Sequence, residues 1–108
     1  MHMAPPIVPL DESERTEIMQ MYGRLERVTY FELLGVDPSA DVDEVRSQYR
    51  LLSRSWHPDA PRWRQRDLSS FDRAIRAIFE QIRTAERTLS DPERRAEYAR
   101  AYGKMTVD

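Results

Sequence analysis

Hydrophobic residues recur along this chain at steps of three and four rather than two, the spacing of helices. The clearest case is residues 42–56, where Val42, Val45, Tyr49, Leu52 and Trp56 build one apolar stripe. From about Leu68 to Leu89 the same pattern returns in Phe71, Ile75, Ile78, Ile82, Ala85 and Leu89, which predicts a long core-facing helix. Before these, Ile18, Met21, Tyr22, Leu25 and Val28 predict a helix from about Glu12 to Arg27, followed by a short one from about Tyr30 to Leu34. A last helix after Ser90 is mostly charged and is expected to be anchored by Ala96, Tyr98 and Tyr102. No stretch of residues 11–103 alternates apolar and polar positions over a strand's length. The fold class read from this pattern is all-α.

Polar punctuation sharpens the boundaries. Asp11 with Glu14, Thr29 with Glu32, Asp41 with Glu44 and Ser90 with Glu93 each have the spacing of a helix-starting capping box. Gly35 and Gly103 stand where helices end, and Asp37-Pro38-Ser39 reads as a turn. The first two helices can be continuous or kinked on this pattern. At about 1.5 Å per residue the long helix would run roughly 33 Å against roughly 22 Å for the helix at 42–56. If the two form an antiparallel hairpin, the longer must overhang its partner near the loop, unless residues 61–67 fold back over it or the helix breaks.

With 108 residues and 40% hydrophobic content, one modest core is expected. Zero cysteines exclude disulfides and thiolate chemistry, and two histidines, His2 and His57, cannot assemble the usual zinc cluster. No cofactor or metal is implied. No apolar run approaches the roughly 20 residues that span a bilayer, and the start lacks a secretory pattern. The chain is expected to be soluble, cytoplasmic and monomeric. Met1-His2-Met3 reads as a cloning scar and residues 4–10, with three prolines, as an extended arm. The segments are therefore a disordered arm or cloning scar over 1–10, an additional helix over 11–28, the main unit over 29–103 and a frayed tail over 104–108.

A formal net charge of −2 argues against general affinity for nucleic acid, although Arg46, Arg50, Arg54, Arg62, Arg64 and Arg66 make the middle of the chain locally basic. Arg46, Arg50 and Arg54, each four apart, form a stripe beside the apolar one, and no acidic residue lies four before Arg50 or Arg54 to neutralise it. Like charges at that spacing cost a few tenths of a kcal/mol, roughly, so the row suggests an acidic partner. Trp63 among arginines has two readings, a base-stacking residue or a cover over the core, and the second is the expected one.

His57-Pro58-Asp59 ends the basic helix, because Pro58 lacks an N–H and disfavours helical geometry at the residue before it. Taken alone, the tripeptide is a helix stop with two local caps. A general-base role for His57 finds no cysteine nucleophile, no Gly-rich phosphate loop and no second histidine beyond the N-terminus.

Four blocks in order resemble the J-domain family of co-chaperones: Tyr30 to Val36 (Tyr-Phe-Glu-Leu-Leu-Gly-Val), Glu44-Val45-Arg46 through Tyr49-Arg50, Trp56-His57-Pro58-Asp59, and Leu89 to Arg95 with Tyr98. The resemblance covers residues 29–103. It implies a helical hairpin with short first and last helices, here with an additional N-terminal helix. It also implies docking on a DnaK-class heat-shock chaperone whose ATP hydrolysis is stimulated, without catalytic chemistry in the chain itself. Carried over by position, His57, Pro58 and Asp59 are the trigger, and Arg46 and Arg50 the steering residues; Arg54 joins them from the stripe. Leu34, Val45, Tyr49, Leu52, Trp56, Ile78, Phe79, Ile82 and Leu89 are the expected core.

The chain departs from the family pattern at Leu51, Ala60 and Pro61, where basic residues and Asn are usual, and at Glu86, where an aromatic is common. The connection after Asp59 and the helix beyond it are also longer than usual, and the extra helix at 12–27 is suited to cover the overhang. No glycine-rich linker or zinc domain follows, so the chain is expected to be a J-domain alone or a piece of a longer protein. A scaffold that binds the chaperone without activating it is the alternative that these departures raise. A helical nucleic-acid binder using residues 46–66 is the alternative from another class. No small-molecule substrate, nucleic acid or membrane is expected as a partner.

Overall fold

In the computed structural model, which describes residues 6–102, five helices follow one another as α1 (Glu12–Arg24), α2 (Tyr30–Leu34), α3 (Val42–Trp56), α4 (Asp72–Ser90) and α5 (Pro92–Tyr102). A 3₁₀ turn at Pro61–Trp63 and two short strands, β1 (Val8–Pro9) and β2 (Arg66–Asp67), complete the order. Gly103, residues 104–108 and the first part of the arm lie outside the described residues. Among the described residues no helix is long and apolar enough to cross a membrane.

The hairpin of α3 and α4 is the largest interface, and α1, α2 and α5 each pack on α4. Val45, Ile75, Ile78, Ile82, Ala85 and Leu89 are fully buried, with Leu34 and Trp56 close behind. Tyr49 and Leu52 pack against this core while remaining partly exposed. Phe79 is buried too, but under the end of α3 rather than within the central cluster.

Local chemistry explains the boundaries. The Asp11 and Thr29 side chains accept from the backbone N–H groups of Glu14 and Glu32, whose carboxylates accept in return from the capping residues' own N–H groups. Thr29 is extended, so α1 and α2 are separate helices, and α1 stops at Arg24 rather than Arg27. The long helix starts at Asp72, not Leu68. The Asp67 carboxylate accepts from both the N–H and the hydroxyl of Ser69, at 3.1 and 2.8 Å, and so offers the backbone a turn in place of a helix. Those two bonds hold the Asp67 carboxyl below its ordinary range.

At the other end α4 runs through Ser90, whose helical backbone prevents it from capping α5; its hydroxyl instead donates to Glu86 at 3.0 Å. Asp91 is the cap, accepting from the Arg94 N–H at 3.0 Å. Of the three anchors expected for α5, Ala96 and Tyr102 are exposed and Tyr98 holds it. The Tyr98 ring stacks on Tyr30 at 4.5 Å, and its hydroxyl accepts from the Tyr30 N–H at 2.8 Å. Burial raises its hydroxyl above the ordinary phenol range, partly offset by that hydrogen bond. Arg95 adds a bond from its guanidinium to the Pro38 carbonyl at 2.8 Å.

Gly35 ends α2 at φ +70°, in the left-handed region, and a Cβ there would sit 3.3 Å from the Gln48 side-chain nitrogen that donates to the Leu34 carbonyl. Gly35→Ala is therefore expected to lower stability by about 1–2 kcal/mol. The measurement is a denaturant midpoint shifted at unchanged slope. An unchanged midpoint would mean that the loop after α2 relaxes freely.

The arm expected over residues 1–10 is corrected in its described part. Val8 and Pro9 pair in parallel with Arg66 and Asp67, the Val8 N–H donates to the Gln65 carbonyl at 2.7 Å, and Leu10 is buried in the core. Two paired residues are too few to leave a periodicity in sequence.

Candidate functional site

The helix that carries the arginine stripe ends where Pro58 requires it to. His57 leaves α3 with an extended backbone, its N–H still donating to the Ser53 carbonyl at 2.9 Å. The His57 carbonyl accepts from the Ala60 N–H at 2.8 Å, which closes a four-residue turn with Pro58 at its second position, the position proline favours. Directly behind it, the Trp63 N–H donates to Ala60 and the Arg64 N–H to Pro61, so one turn feeds the next.

His57 is exposed yet held from two sides. Its ring meets Phe79 edge-on with centroids 4.7 Å apart, and its Nδ1 accepts from the Asp59 N–H at 2.9 Å. An accepting Nδ1 leaves the proton of the neutral ring on Nε2. Through its own amide, Asp59 thus orients the histidine while its carboxylate stays exposed and, among the described residues, without an ion pair. Phe79 is buried as the sequence pattern has it, and what that pattern did not show is its contact with the His57 ring. Its place beside His57 follows from the register of α4 on α3, which periodicity does not encode.

Because His57 lies level with Phe79, the first seven residues of α4, Asp72 to Ile78, extend past the end of α3. This is the overhang that the two helix lengths required. The added helix covers it: α1 packs on α4, with one shared cleft lined by Thr16, Met19 and Phe71 and another by Tyr22, Leu25, Ala77 and Gln81. The order of these clefts shows α1 running parallel to α4. Ile18 and Met21 supply its buried face.

Arg46, Arg50 and Arg54 are all exposed on α3 and, among the described residues, none makes an ion pair; Arg50 donates only to the Ser47 hydroxyl at 3.1 Å. Leu51 is exposed beside them. Arg62 and Arg66 differ. Arg62 pairs with Glu17, and Arg66 forms a two-pronged pair with Glu14 while its guanidinium also donates to the Pro9 carbonyl at 2.9 Å. The local basic excess read over residues 46–66 is thereby reduced to the α3 stripe and Arg64.

Trp63 is buried, tilted against Trp56 with centroids 6.2 Å apart, and covered by the Arg62 guanidinium at 4.1 Å. It covers the core and is not available to stack a base. Ala60 is also buried, so a long charged side chain at that position has no room, and Pro61 opens the 3₁₀ turn that seats Trp63.

Comparison with known proteins gives this geometry a family. The family model described as DnaJ domain matches residues 29–99. The chain is similar to the chaperone protein DnaJ of Shouchella clausii, at 39% identity over 64% of this chain and 16% of that protein, and to that of Synechococcus elongatus, at 42% over 66% and 22%. The chaperone protein DnaJ of Methanothermobacter thermautotrophicus matches at 41% over 73% of this chain and 18% of its own length. The chain therefore spans about a fifth of the length of these curated relatives. No solved structure matches it significantly. With the family model covering most of the chain and the His-Pro-Asp turn standing at the end of a basic helix, this chain belongs to the DnaJ domain family.

Proposed function

We propose that this domain is a co-chaperone module that docks on a DnaK-class heat-shock chaperone and accelerates its ATP hydrolysis. His57, Pro58 and Asp59 are the trigger, and Arg46, Arg50 and Arg54 the face that steers docking. The bond broken is the partner's, and the chain performs no catalysis of its own. The observation that carries this reading is the His57 ring fixed between Phe79 and the Asp59 amide, with the Asp59 carboxylate exposed beside it. Such a loop presents a hydrogen-bond donor and a carboxylate in fixed relation, suited to a charge-assisted bond with a cationic side chain of the partner. Acceleration follows only if the module binds the hydrolysis-competent state of the partner more tightly than its resting state.

A single-turnover assay with a DnaK-class chaperone and ATP tests this. Faster hydrolysis at saturating module supports it; binding without acceleration would replace it with the scaffold reading, which the exposed Leu51 within the basic face keeps in view. The nucleic-acid reading is weakened by the burial of Trp63 and the pairing of Arg62 and Arg66. The steering role makes a separate prediction: Arg50→Glu slows association by about threefold to tenfold at low ionic strength, and the difference shrinks as salt screens it. Stopped-flow binding at two salt concentrations measures this, and an effect confined to dissociation would reassign Arg50 to a direct contact.

A further inference from the structure

The segment after the tripeptide is tied to the N-terminal extension by two ion pairs and a short parallel strand pairing. Glu17 holds Arg62, whose guanidinium lies over Trp63 at 4.1 Å and near Trp56, the residue that precedes His57, at 5.2 Å. Glu14 holds Arg66 with both carboxylate oxygens, and β1 pairs with β2 immediately beside it. Gln65 between them has φ +60°, a left-handed conformation that is unfavourable for a non-glycine residue and persists where neighbours impose it. The Val8 N–H supplies such a constraint through its bond to the Gln65 carbonyl.

We infer that Glu14 and Glu17 are positioning residues for the proposed stimulation of the chaperone: through Arg66 and Arg62 they hold the downstream limb of the His-Pro-Asp loop in its docking conformation. The chain of contact runs from Glu17 to Arg62, to the Trp56 and Trp63 rings, and so to the two ends of the turn that displays His57 and Asp59. The extension thus pre-organises a loop whose following segment is long. Without it the docking-competent conformer is a smaller fraction of the population, and the apparent affinity falls by that fraction while the fully bound state is unchanged. This inference rests on the function proposed above, and its test separates the two.

The test uses Glu14→Gln with Glu17→Gln in the whole chain. Gln retains the capping box at position 14, so α1 keeps its start and only the charges are lost. Half-saturation for stimulation should rise about threefold to tenfold with maximal stimulation unchanged, the bias that two part-exposed ion pairs can impose. Amide exchange at Ala60, Trp63 and Val8 should quicken while that of Val45 and Ile82 does not. Half-saturation unchanged, or loop exchange unchanged, overturns the inference. A wild-type chain that binds without stimulating overturns the proposed function instead, and loop exchange then decides whether the extension braces the loop.

Discussion

His57→Gln is expected to lower maximal stimulation of the chaperone by about tenfold or more while leaving the fold and the association rate in place. The glutamine carbonyl can still accept from the Asp59 N–H, so the turn closed between His57 and Ala60 survives. What is lost is the ring that rests edge-on against Phe79 and, with it, the fixed outward position of the donor, which a flexible glutamine amide does not hold. A hydrogen bond to a charged group contributes roughly 1.5–3 kcal/mol, which corresponds to about tenfold or more in an equilibrium. Association is expected to be spared because the arginines proposed to steer it lie along α3, whose last turn is unaltered. The single-turnover assay at saturating module reads the first quantity and stopped-flow binding the second. Stimulation that survives the substitution would sink the trigger assignment, and an equal fall in association rate would show that His57 steers rather than triggers.

The second large effect is on stability. Trp63→Ala is expected to cost about 3–5 kcal/mol, the range for removing a buried aromatic side chain. Small domains are stable by only about 5–15 kcal/mol, so this variant would be near the edge of folding. Trp63→Phe should be far milder, within about 1.5 kcal/mol. The indole nitrogen of Trp63 is buried and, among the described residues, unpaired. An unpaired buried donor costs about 1–3 kcal/mol, so removing it offsets part of the area lost. Thermal or denaturant melts of both variants give the comparison. A phenylalanine variant as unstable as the alanine one would show that the indole shape, clasped between Trp56 and Arg62, is what the site requires.

These two residues also divide what could be read in the chain from what could not. The tripeptide, the helix before it and the stripe on that helix were legible because each is local: proline stops a helix within one residue, and a period of three and four needs only neighbours in sequence. For the same reason the Asp11, Thr29 and Asp41 caps and the Gly35 terminus stand where the pattern placed them. The boundaries at Leu68 and Ser90 moved because side chains at Asp67 and Asp91 compete for the same backbone, and propensity does not rank such rivals. Phe79 was legible as buried but not as the support for His57, and Arg62 and Arg66 read as free charge although carboxylates 45 and 52 residues away neutralise them.

Hydrophobic period, capping chemistry and proline stops, all acting over a few residues, already determine an all-helical chain with a polar tripeptide displayed after a basic helix. Register between helices and the docking of the N-terminal segment depend on contacts between residues far apart in the chain. Side-chain shape and long-range ion pairs choose among alternatives that local pattern leaves equal. That is why the seat of His57 on Phe79, the burial of Trp63 and the inclusion of residues 8–10 in the fold emerge only when the helices are packed together.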